Sequence, residues 1–164
     1  LAIDSPERVD KLVVIGSTPV LTSLFCPLPL EGIKLIGSYY RGEGPSMAKM
    51  ETLVRTLLYD SSLVSEETLK ERYHATLDPE AIRVFQGPPP QNEDLADQLH
   101  RVACPALIVW GADDRFGALD IGLLMLRKFQ NARMHIFSRC GHWAQVEHAQ
   151  EFDELVLNFL AGAG

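Results

Sequence analysis

Three short apolar runs, each ended by turn-forming residues, stand out along the chain. Leu12, Val13, Val14 and Ile15 lead into Gly16; Ala106, Leu107, Ile108, Val109 and Trp110 run from Pro105 to Gly111; and residues 132–137 carry Met134, Ile136 and Phe137. Runs of this length and β-branched content predict strands, and the first reads as one buried on both faces. Between the second and third, residues 122–130 place Leu123, Leu124, Leu126 and Phe129 at helical spacing. A strand–helix–strand unit is therefore expected, and with it a parallel sheet. Downstream, His148, Phe152, Leu155, Val156 and Phe159 recur at helical period, predicting an amphipathic helix over one face of the sheet. The Ala-Gly-Ala-Gly end is expected to be flexible, and residues 5–9 read as a helix exit and a turn.

From about residue 24 to 98 the β-branched runs vanish and helical periodicity takes over. Met47, Met50, Leu53, Val54, Leu57 and Leu58 form one helix face, with Pro45 suited to its first turn. A further helix is expected from Ser65, a natural N-cap followed by Glu66 and Glu67, to about Thr76. Residues 86–92, with Gly87 and three prolines, break structure and lead back to the sheet. A helical insertion between parallel strands reads as a lid. The expected organisation is an α/β fold with core segments 1–23 and 99–164 around a helical lid at 24–98.

Composition narrows the class of partner. The 164 residues are 46% hydrophobic and 23% charged, the balance of a globular domain. Fifteen Lys and Arg against 22 Asp and Glu give a net charge of -7, and the basic residues are scattered. Nothing resembles a footprint for nucleic acid or a membrane surface, so a small-molecule substrate is expected. Cys26, Cys104 and Cys140 have no zinc-like spacing and read as reduced thiols of a cytoplasmic protein. No apolar stretch approaches a membrane span, and self-association into a homo-oligomer stays open. The start at Leu1, without a methionine, suggests a longer parent protein.

The chemistry lies just beyond two of the predicted strands. Asp113 and Asp114 follow Gly111, and Gly141-His142 follows the third strand. In a parallel strand–helix–strand unit both loops emerge at the carboxyl edge, where open α/β sheets place ligands. A carboxylate that accepts an imidazole N–H fixes the tautomer and stabilises the cation formed on proton uptake. Either residue alone is more often structural; their joint placement favours a catalytic pair. The Gly-x-x-Asp spacing points to Asp114 rather than Asp113. Neither a G-x-S-x-G nucleophile elbow nor an oxyanion motif of the HG type occurs. Cys140, so near the base in sequence, reads as a packing residue rather than a nucleophile.

The segments 111–116 (Gly-Ala-Asp-Asp-Arg-Phe) and 137–148 (Phe-Ser-Arg-Cys-Gly-His-Trp-Ala-Gln-Val-Glu-His) resemble the meta-cleavage-product hydrolases, and residues 27–34 and 58–60 agree. These α/β-hydrolases cleave a carbon–carbon bond in 2-hydroxy-6-oxo-hexa-2,4-dienoates during degradation of aromatic rings. The resemblance implies Asp114 as acid, His142 as base, and Phe116 and Trp143 as pocket residues. It also implies Arg72 as the lid arginine that binds the dienoate carboxylate; the competing role is a salt bridge to Glu71 or Glu67. No metal or cofactor is implied. The nucleophilic serine should lie roughly ten residues before Leu1, leaving these residues inactive alone. Gly117-Ala118 stands where the family usually has Val-Pro, which would enlarge or loosen the pocket. An esterase or dehalogenase, or a noncatalytic hydrolase-like binding protein, are the other readings.

Overall fold

The computed structural model describes residues 1–88 and 93–162. A 3₁₀ turn at Pro6–Arg8 enters strand β1 (Leu12–Ile15), and four helices follow: α1 (Glu31–Tyr39), α2 (Met47–Leu57), α3 (Glu66–Ala75) and α4 (Pro79–Gln86). The chain then makes β2 (Ala106–Gly111), α5 (Leu119–Lys128) and β3 (Ala132–Phe137), and ends in α6 (Ala144–Glu147) and α7 (Ala149–Ala161). The three strands pair in parallel in the order β1-β2-β3, with Ile15 beside Val109 and Gly111 beside Phe137.

Central β2 explains the layering. All six of its residues are buried, and its pleat sends alternate side chains to opposite faces. Ala106, Ile108 and Trp110 pack with Ile121 and Met125 of α5, whereas Leu107 and Val109 pack with Phe152 and Phe159 of α7. By contrast β1 is only half-buried, with Ile15 at 36% exposure: Leu12 and Val14 pack against one core and Val13 against the other, so both faces are covered, but less fully than the apolar run predicts. The reason is position: within the described residues β1 pairs on one edge only.

Helix boundaries depart from expectation where packing or a cap overrides periodicity. Helix α5 begins at Leu119 and stops before Phe129, whose extended backbone turns the ring into the core. The C-terminal helix is broken at His148 (φ -127°, ψ 42°), and Ala161 is still helical, with Gly162 as a left-handed cap at φ 80°. Pro45 lies outside α2, because Ser46 is the N-cap and accepts from Lys49 N–H. Ser65 caps α3 as expected. Helix α1 is weakly marked in the sequence, where Gly32 and Gly37 dilute its helix propensity. Helix α4 did carry a signal: Asp78, followed by Pro79, caps it through Glu80 and Ala81 N–H. The expected break holds at Gly87, where the backbone is extended; residues 89–92, 163 and 164 lie outside the described residues.

The four-helix insert has its own core of Tyr39, Tyr40, Met50, Val54 and Leu69. Between α1 and α2 the Lys49 ammonium reaches into a loop and donates to the carbonyls of Tyr39, Arg41 and Gly44 at 3.3, 2.8 and 2.9 Å. Among the described residues, no helix is long and apolar enough to cross a membrane.

Trp110 is fully buried and its Nε1–H donates to Gly117 O at 3.0 Å. Trp110→Ala should therefore cost about 3–5 kcal/mol in denaturant unfolding, and Leu157→Ala, at a 65% exposed site, about 0.5 kcal/mol or less.

Candidate active site

Because β2 and β3 are parallel and in register to Gly111 and Phe137, the loops after them emerge side by side. The backbone locks them together, with Ala112 N–H donating to Phe137 O and Asp113 N–H to Cys140 O, both at 2.9 Å. Asp113 is exposed; it is Asp114 that reaches the imidazole, with Oδ2 at 2.8 Å from His142 Nδ1. The Asp114 side chain is 0% exposed and that of His142 26%.

Asp114 Oδ1 accepts from the Phe116 and Gly117 N–H groups at 2.7 and 2.9 Å. Those two bonds orient the carboxylate and leave Oδ2 for the imidazole. A carboxylate oxygen facing Nδ1 makes that nitrogen the donor, so Nε2 is the ring atom able to take a proton. The arrangement can serve as a general base held in one tautomer.

Gly16, at the end of β1, forms the floor of the pair and was not singled out by its sequence context. Its φ is +53°, and an added Cβ would lie 2.8 Å from His142 Nδ1 and 3.2 Å from Asp114 Oδ2. Both the left-handed backbone and the close approach require glycine. Gly117 behaves differently from expectation. The space its missing side chain leaves is filled by Gly16 O and the Trp110 ring, 2.6 and 2.9 Å from an added Cβ, so it opens no extra pocket there.

Phe116 is buried at 5% exposure, and its ring stacks on the His142 imidazole, with centroids 5.1 Å apart and planes at 25°. Behind the Phe116 ring lies Gly32 of α1, with no room for a Cβ. On the other side of the histidine, Trp143 packs against the insert core and carries the Arg72 guanidinium over its ring at 4.5 Å. Arg72 is exposed, and among the described residues its guanidinium forms no salt bridge with Glu67 or Glu71. The five predicted residues thus form two clusters, Asp114–His142–Phe116 and Arg72–Trp143, joined through the 142–143 peptide.

Cys140 lies beside these groups but is fully buried, and burial pushes its thiol up to about 12, assisted by the nearby Glu147 carboxylate. Such a thiol supplies no thiolate near neutrality. All three cysteines are free, and no group of residues suited to a metal ion occurs among the described residues.

No family model matches the chain. It is 38% identical over 165 residues to the 2-hydroxy-6-oxononadienedioate/2-hydroxy-6-oxononatrienedioate hydrolase of Paraburkholderia xenovorans, covering 98% of this chain and 56% of that protein. It is equally identical, over 98% of its length and 57% of the relative, to the 2-hydroxy-6-oxo-6-phenylhexa-2,4-dienoate hydrolase of Burkholderia cepacia. Among solved structures, the meta-cleavage product hydrolase CumD of Pseudomonas fluorescens superposes with a TM-score of 0.84 at 29% identity, over 99% of this chain and 60% of that one. The chain has the α/β-hydrolase fold. Within that fold its relatives are the meta-cleavage-product hydrolases, to which it is homologous over almost all of its own length, while spanning little more than half of theirs.

Two outcomes follow from the site. Gly16→Ala should cost roughly 1–2 kcal/mol through the left-handed backbone alone and displace the imidazole, seen as lower stability and a shifted His142 NMR signal. Iodoacetamide at pH 8 should alkylate Cys26 and Cys104 well before Cys140 in mass spectra of the folded protein, since its thiolate gains population only as pH nears 12.

Proposed function

We propose that these residues supply the acid–base pair and the carboxylate-binding lid of an enzyme that hydrolyses a carbon–carbon bond in a 2-hydroxy-6-oxo-hexa-2,4-dienoate, in the breakdown of aromatic compounds. The observation that carries this is the Arg72 guanidinium, unpaired with acid and stacked 4.5 Å over the Trp143 ring beside His142. An arginine left without a carboxylate at the mouth of a proton-transfer site is suited to a carboxylate on the substrate, because the planar guanidinium meets both oxygens at once. The substrates named for the relatives are dienoates and dienedioates, which carry that group.

In this reading residues 24–98 form the lid, Arg72 anchors the carboxylate, and Phe116 and Trp143 flank the dienoate. His142 takes and returns protons as the dienol ketonises and the carbon–carbon bond breaks, and Asp114 holds its tautomer. With a serine of the full-length protein acting at the 6-oxo carbonyl, one water is consumed as the carbon–carbon bond breaks, its hydroxyl ending on the acid and its proton on 2-hydroxypenta-2,4-dienoate. The setting is the cytoplasm, consistent with three unpaired thiols.

Loss of the dienoate's visible absorbance tests this in the full-length protein. Arg72→Ala should lower kcat/KM roughly 10- to 100-fold, the worth of a charge-assisted contact, and Arg72→Lys should restore part of it. Unchanged turnover in Arg72→Ala would remove the assigned role. Ester hydrolysis without dienoate turnover would indicate a different α/β-hydrolase, and neither activity a binding protein.

A further inference from the structure

One side chain outside the pair uses its two oxygens on two different parts of the molecule. Glu147, the last residue of α6, accepts the Gly141 N–H on Oε1 at 2.6 Å. Its Oε2 accepts the Tyr59 and Asp60 N–H groups at 2.7 and 3.0 Å, just past the end of α2. The same two stretches meet a second time, because His142 N–H donates to Leu57 O at 2.6 Å. They also touch directly: a Cβ on Gly141 would lie 2.4 Å from Leu57 O. The peptide that carries the imidazole is therefore held at successive N–H groups, one by Glu147 and one by the end of α2.

We propose that Glu147 is a positioning residue, whose carboxylate joins the histidine loop to the exit of α2 and thereby sets His142 against Asp114. The proposal rests on the reading of the helical insert as the lid. It follows that lid placement and imidazole placement are a single mechanical variable: the lid cannot shift at residues 57–60 without carrying Gly141 and His142 with it. The chemistry explains why a carboxylate is needed. Glutamine would turn an N–H₂ toward either Gly141 or the Tyr59–Asp60 pair, all of them donors, and would keep one arm only. Aspartate is a methylene too short to span both, and alanine removes both.

The test compares Glu147→Gln and Glu147→Ala with Glu151→Gln, an exposed neighbour on α7, in the full-length protein. Two readouts need no substrate: hydrogen exchange at Tyr59, Asp60 and Gly141, and the low-field proton resonance of His142 Nδ1–H. In Glu147→Ala exchange should rise about 10-fold or more at all three amides, and in Glu147→Gln at the arm that the amide gives up, as charge-assisted bonds are lost; in both the resonance should shift or broaden. Glu151→Gln should leave both unchanged. With dienoate, kcat should fall roughly 10- to 100-fold, as for a misplaced catalytic group, while KM changes much less. A Glu147→Gln protein with native resonance, exchange and kcat overturns the proposal, and this isosteric variant decides should Glu147→Ala fail to fold. Absence of dienoate turnover in the unmutated protein would sink the functional reading, while exchange and resonance would still judge Glu147.

Discussion

A carboxylate shut off from water must have its oxygens met by donors, and Asp114, with no exposed side-chain surface, meets them with two backbone N–H groups and one imidazole. Much of the surrounding architecture follows from that requirement. The loop after β2 must curl so that residues 116 and 117 point their N–H groups inward, and the loop after β3 must bring an imidazole to within 2.8 Å. Both demands are met only because the two strands are parallel neighbours in register at their carboxyl ends. The end of β1 must also withdraw beneath the pair, and Gly16 does so.

Each of the two loops is tied separately to the helical insert. The acid loop meets α1, where Gly32 N–H donates to Arg115 O at 3.0 Å and Phe116 lies against Gly32. The histidine loop meets the end of α2 through Leu57 O and Glu147. The insert is thus fastened on both sides of the Asp–His pair, and the Arg72–Trp143 stack lies in the same contact region. The His142 imidazole, the Trp143 ring and the Glu147 carboxylate that holds the insert thus lie along one short stretch, 142–147.

The parallel sheet, the insert between its strands and the meeting of Asp114 with His142 were legible because each rests on a local signal: β-branched runs, a change of period, and polar residues just past strand ends. What escaped depends on distance. Nothing around Gly16 announces that an imidazole presses on it from 126 positions downstream. Gly117 looked like lost bulk, but Trp110, seven residues earlier, occupies the space. Glu147 ends a four-residue helix, and only the fold reveals that two of its partners lie on the insert 87 and 88 positions away. Likewise the burial of β1 could not be judged from its own residues, since a strand's exposure is set by its neighbours.

The loop between α1 and α2 is organised by Lys49, whose ammonium sits among carbonyl oxygens much as a coordinated ion would. A tethered cation cannot be chelated away or exchanged for another. The loop therefore needs no ion from its surroundings yet is open to covalent chemistry: acylation of that one amine would abolish the charge and leave one N–H where the ammonium has three, turning an ordered connection into one without a centre.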